Sequence, residues 1–167
     1  MDDNRRPLVL ALGNLLLEDD AVGLVMLDRL RHERPDLAAA TDFVDGGTQG
    51  LALLGLMSGR PGIVVLDAVG AGADPGAVHV LDRDAALGIN ATAGSTAHEG
   101  GAAPLLAVAA LLGDLPQWVR VIGVEPGRVH TGMGLSEPVR DSLQGALDAA
   151  SAAIAELVEH TATAAIA

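Results

Sequence analysis

The sequence predicts a three-layer α/β sandwich, with a mostly parallel central sheet of about five strands flanked by helices on both faces. Two apolar runs, Leu8 to Leu12 and Gly62 to Leu66, carry no polar side chain and so suit strands covered on both faces, and segments of helical period lie between such runs. Half of the 167 residues are hydrophobic, yet Phe43 and Trp118 are the only aromatics, so Ala, Val and Leu must fill the interior around 21 glycines. No repeat of roughly 20 to 50 residues and no interior linker breaks the alternation, so residues 1–167 read as a single domain.

Taken in order, Met1 to Arg6 form a polar leader expected to be disordered, and Leu8 to Leu12 the first strand. Gly13 and Asn14 break it. From Ala21 the apolar positions Val22, Val25, Met26 and Leu30 recur at helical spacing until Pro35, and Asp19 and Asp20 sit at the helix start, where carboxylates cap free amides. Thr41 to Val44 read as a second strand, Asp45-Gly46-Gly47-Thr48 as a turn, and Leu51 to Met57 as a brief helix. The Gly62 to Leu66 strand ends at Asp67. Ala77 to Leu81 read as a further strand, whereas Asp84 to Ala97 show no period and read as a loop ending at His98. Pro104 to Leu112 predict a helix, Val119 to Gly123 a strand and Glu125 to Gly134 a loop. The last helix starts at Pro138, a favourable first-turn position, and runs through Leu143, Leu147, Ile154 and Leu157 to about His160; residues 161–167 read as a disordered tail.

Composition removes several classes of function. Ten Lys and Arg against 22 Asp and Glu give a net charge of -12, which lacks the basic footprint of a nucleic-acid binder. With no cysteine there is no thiolate metal site and no cysteine nucleophile, so any metal must be held by oxygen and imidazole. The longest apolar run, Leu8 to Leu17, is too short to cross a bilayer and has no signal-peptide cleavage pattern. A cytoplasmic monomer is expected; its negative charge serves solubility, and steering toward a basic partner face is the other reading.

In an open parallel sheet the carboxyl ends of the strands share one edge, and ligands bind there near a switch in strand order. Asp20, Asp45, Asp67, His98 and Glu125 all fall on that predicted edge. Asp67 is the most distinctive, because a carboxylate ending an apolar buried strand is costly without a cation or several donors. A turn or capping aspartate is the other reading of Asp67, a solvated helix start that of Asp20, and a surface imidazole that of His98. Together, two carboxylates and one imidazole suit zinc, nickel or another divalent ion and leave coordination positions open. There is no H-E-x-x-H, no G-x-S-x-G around Ser95, and no Walker loop or G-x-G-x-x-G after the first strand.

Five segments in order carry a family resemblance. Gly13-Asn14-Leu15-Leu16-Leu17-Glu18-Asp19-Asp20-Ala21-Val22-Gly23 resembles the opening motif of the hydrogenase maturation endopeptidases, which remove a C-terminal extension from the large subunit of nickel-iron hydrogenases. Asp45-Gly46-Gly47-Thr48 resembles the family's glycine turn, Leu66-Asp67-Ala68-Val69 its central strand end and Thr96-Ala97-His98-Glu99 its histidine segment. Gly123-Val124-Glu125-Pro126 with Gly134-Leu135-Ser136 resemble its C-terminal loop. The resemblance covers Leu8 to about His160.

It implies an aspartyl-type endopeptidase in which Asp20, Asp67 and His98 bind a divalent metal, with Asp45 assisting recognition or chemistry. Some members carry glutamate where Asp20 stands, and Asp19, adjacent to Asp20, is the alternative first ligand. The implied metal is nickel presented by the precursor substrate; zinc or cadmium could substitute in a crystal. The implied partner is the large-subunit precursor. Two mechanisms stay open: metal-bound water or a metal-polarised carbonyl, or a carboxylate that activates water while the triad positions the precursor. A non-proteolytic metal-sensing assembly factor using the same edge is the alternative function, and a small-molecule binder a third.

Overall fold

The computed structural model describes residues 6–89 and 101–166. Five strands, β1 (Leu8–Leu12), β2 (Asp42–Gly47), β3 (Gly62–Ala68), β4 (Val78–Asp82) and β5 (Trp118–Val124), form one sheet in the order β2-β1-β3-β5-β4. All neighbours run parallel except β4, which pairs antiparallel with β5 at the sheet edge. The helices are α1 (Val22–Glu33), α2 (Pro35–Ala40), α3 (Leu54–Met57), α4 (Arg83–Gly88), α5 (Ala102–Leu112) and α6 (Glu137–Ala164).

The continuous apolar runs have a direct explanation in the two-residue strand period. Val9 and Ala11 of β1, Val64 and Leu66 of β3, and Ile122 and Val124 of β5 pack against α1 and α6. Their neighbours Leu8, Leu10, Leu12, Ile63, Val65, Val119 and Val121 face the other way, against Leu53, Met57, Ala86 and the α5 residues Leu105, Leu106 and Ala109. Every side chain of β1 is buried because both faces are covered. None of the described helices is long and apolar enough to cross a membrane.

Four local expectations change. Strand β2 continues through Asp45-Gly46-Gly47, where the sequence suggests a turn. A Cβ on Gly46 would lie 3.0 Å from the Ala11 carbonyl oxygen, so the missing side chain lets the strand stay beside β1. Within the expected loop from Asp84, α4 forms instead, and the Asp82 carboxylate caps it by accepting from the Ala85 N–H at 2.8 Å. At the C-terminus α6 continues to Ala164 rather than fraying after His160: Thr161 and Thr163 donate their hydroxyls to the Leu157 and Glu159 carbonyls. Arg6 is likewise fixed rather than frayed, donating to the Thr41 carbonyl and pairing with Asp42 at 3.2 Å.

The connection from β1 leads to β2 on one side, and β3 lies on the other side of β1. The strand order therefore switches between β1 and β3, opening a crevice at their carboxyl ends. Helix α1 starts there, in contact with both strand ends. A Cβ on Gly23 would fall 2.3 Å from the Leu66 carbonyl oxygen and 2.6 Å from that of Leu12, and backbone cannot yield cheaply. Gly23→Ala is expected to lower stability by at least about 3 kcal/mol. Gly145→Ala, in the α6 interior where nothing stands within 4 Å of the added carbon, is expected to raise stability by about 0.5–1 kcal/mol. Equilibrium denaturation of the two variants checks both; equal effects would remove the close packing at Gly23.

Candidate active site

The chain leaves β1 through Gly13 (φ 137), whose missing side chain matters because a Cβ would lie 2.1 Å from the Asp20 carbonyl oxygen. The Asn14 carboxamide oxygen accepts from the Leu16 N–H at 2.9 Å, and the Asn14 N–H donates to Asp20 Oδ2 at 2.9 Å. This folds the loop back on itself. A 3₁₀ turn over Glu18–Ala21 then feeds α1. Glu18 holds a left-handed backbone (φ 47), unusual for a residue with a side chain, and its N–H donates to the Gly132 carbonyl at 3.1 Å.

Asp67 comes from the end of β3 and is 4% exposed. Its Oδ1 accepts from the Ala68 N–H at 2.9 Å, and its Oδ2 from the N–H of Ala102, the first residue of α5, at 2.8 Å. Burial pushes the Asp67 carboxyl up to about 7; the Ala102 N–H opposes this, the negative charge of Asp20 adds to it, and the Ala68 N–H opposes it again. Asp20 and Asp67 therefore share one electrostatic environment at the switch point, although they stand 47 positions apart in sequence. Such a pair can hold one proton near neutral pH or take up a divalent cation.

Asp45 lies in register with Ala11 of β1, which in turn pairs with Leu66, so it reaches the same sheet edge. Two strand spacings, about 10 Å, separate its backbone from β3. Its carboxylate is exposed and accepts from the Gly47 N–H at 2.9 Å. His98 lies outside the described residues. Among the described residues no group of three or more His, Asp or Glu side chains gathers in a metal-ligating arrangement.

Asp19 and Asp20 are neighbours with different surroundings. The Asp19 carboxylate is fully buried and accepts from the Ser136 N–H at 2.6 Å, the Ser136 hydroxyl at 2.7 Å, and the Gly127 and Arg128 N–H groups at 2.8 Å each. Burial alone would raise its pKa, but these bonds, led by those of Ser136, hold it below the ordinary carboxylate value. Asp19 thus ties the Asp20 loop to the segment before α6, and its oxygens are committed to that task.

Glu125 is also structural. Burial would raise its pKa, but the Ala71 N–H, His79 and the Gly72 N–H bond its carboxylate and bring it below the ordinary value. The sequence places Glu125 on the functional edge but shows nothing of His79, which reaches it from β4 at 2.9 Å.

Comparison with known proteins gives the family and the fold. A family profile described as hydrogenase maturation protease matches residues 27–153, which include Asp45, Asp67 and His98. The chain is 32% identical over 152 residues to the hydrogenase 2 maturation protease of Escherichia coli (strain K12), covering 90% of this chain and 92% of that one. It is 34% identical over 150 residues to the hydrogenase expression/formation protein HupM of Azotobacter chroococcum mcd 1, covering 89% and 71%. Among solved structures, the hydrogenase maturating endopeptidase HybD from E. coli superposes with a TM-score of 0.74 at 30% identity, over 90% of this chain and 93% of that one. The [NiFe] hydrogenase maturation protease HybD from Thermococcus kodakarensis gives 0.68 at 27% identity, over 88% and 97%. The chain belongs to the hydrogenase maturation protease family and is an endopeptidase of that family.

Proposed function

We propose that this protein removes the C-terminal extension of a nickel-iron hydrogenase large-subunit precursor after nickel insertion, and that Asp20, Asp67 and His98 bind the nickel which the precursor presents. The observation that carries this reading is the Asp20–Asp67 pair: a buried carboxyl raised to about 7 beside a second carboxylate suits a site whose cation arrives with the substrate. Oxygen donors match a divalent ion and leave room for a neutral imidazole. His98 stands four positions before Ala102, whose N–H already touches Asp67, so the tether is at most about 14 Å long.

In this reading Asp20 and Asp67 seat the nickel centre and thereby align the adjoining peptide bond over the switch point. His98 must be neutral to ligate, and the Ala102 N–H orients Asp67 throughout. A divalent ion so placed polarises a carbonyl or lowers the pKa of a bound water. Mass spectrometry of nickel-loaded precursor after incubation is expected to show loss of a single C-terminal peptide; an intact precursor would contradict the proposal.

Proton release gives a second test. Because Asp67 holds its proton up to about pH 7, binding of Ni²⁺ is expected to release a proton from it near pH 6 and none from it above about pH 8. Calorimetry in buffers of different ionisation enthalpy measures this release in wild type and in Asp67→Asn. Release that does not differ between them removes Asp67 from the cation site.

A further inference from the structure

Helix α5 has no polar side chain in its eleven residues, Ala102–Leu112. Surface helices normally turn a polar face to solvent, and a helix apolar all round is normally covered all round. Leu105, Leu106 and Ala109 do pack against the sheet. On the outer side, however, Pro104, Ala107 and Leu111 are exposed, with Val108 half-buried between them and Leu111 86% exposed. Their spacing of three, four and seven residues makes one stripe about 10 Å long.

Two further observations indicate what covers it. The stripe begins at the candidate active site, since the first N–H of α5 donates to Asp67 Oδ2 at 2.8 Å. A chain lying over Asp67 and running outward along α5 meets Pro104 within the first helical turn. The protein also carries a net charge of -12, so a second copy approaching this uncharged face is repelled, whereas a partner with basic residues is attracted.

We infer that the exposed stripe of α5 is a docking surface for the protein being processed, taking an apolar segment of that precursor flanked by basic residues. This rests on the endopeptidase reading above. Contacts there lie away from the peptide bond that is cut, so they strengthen binding of precursor without taking part in the chemistry.

The test compares wild type with Leu111→Lys on nickel-loaded large-subunit precursor, measuring equilibrium binding, KM, kcat, melting temperature and sedimentation. Docking at α5 is expected to weaken binding and raise KM by about ten-fold or more, with kcat and melting temperature unchanged. Unchanged binding and KM overturn the inference and leave the endopeptidase reading intact. A variant with a clearly lowered melting temperature would mean that the chain itself covers the stripe. A wild-type dimer that the substitution splits would assign it to a second copy; either result overturns the inference. If wild type binds precursor without cutting it, the endopeptidase reading fails, and weaker binding by Leu111→Lys still supports docking. If wild type neither binds nor cuts, both fail.

Discussion

Asp67→Asn is expected to reduce precursor processing by at least about a hundred-fold and to flatten the dependence of stability on pH between about 4 and 7. The unfolded chain releases the Asp67 proton near the ordinary 3.8, whereas the folded protein holds it up to about 7. Between those values the folded state binds more protons than the unfolded state, so this group's stabilising contribution is complete below 3.8 and is lost as pH rises towards 7. That span corresponds to a loss on the order of 4 kcal/mol. Asparagine does not titrate. Its single oxygen can accept from only one of the Ala68 and Ala102 N–H groups, so the other faces an NH₂ group at a cost of about 1 kcal/mol. The variant should therefore be less stable than wild type at pH 4 and more stable at pH 8. Urea denaturation across this range measures the crossing, and parallel curves would show that Asp67 does not titrate as its burial requires.

Asp19→Ala is expected to act through folding. Removing this carboxylate leaves four donors, the Ser136 N–H and hydroxyl and the Gly127 and Arg128 N–H groups, without their acceptor in a buried location. A loss of about 3–5 kcal/mol follows, a large share of the roughly 5–15 kcal/mol that holds a domain folded. The melting temperature should fall by roughly 10 °C or more. Processing should fall as well, because Asp20 loses the link that fixes its loop against the 126–136 segment. Calorimetric melting separates Asp19 from Asp20: Asp20→Asn, which leaves these four bonds in place, should lose processing with little change in melting. Equal melting of wild type and Asp19→Ala would show that the four bonds are not worth their geometry.

The central sheet was legible in the sequence because β1, β3 and β5 are covered on both faces, and double burial leaves an uninterrupted apolar run. The edge strand β4 was also recognisable, but its antiparallel direction was not, since orientation depends on pairing with β5 rather than on any local pattern. Helix α4 escaped because six residues, fewer than two turns, are too short to display a 3.6-residue period. The end of α6 escaped because no Gly or Pro follows His160 to mark a stop. At the candidate site, topology alone places Asp20 and Asp67 at the carboxyl edge: Asp20 follows β1, and Asp67 stands at the end of β3 beside it. The division of labour between Asp19 and Asp20 was not visible, because it is set by Gly127, Arg128 and Ser136, more than 100 positions away.

The most direct test of nickel sensing is a side-by-side digestion of nickel-loaded and nickel-free large-subunit precursor by the wild-type protein. Cleavage of the loaded form, with the nickel-free form left intact over the same time, is the expected result. Equal cleavage of both would contradict a site in which Asp20 and Asp67 read the metal that the substrate carries.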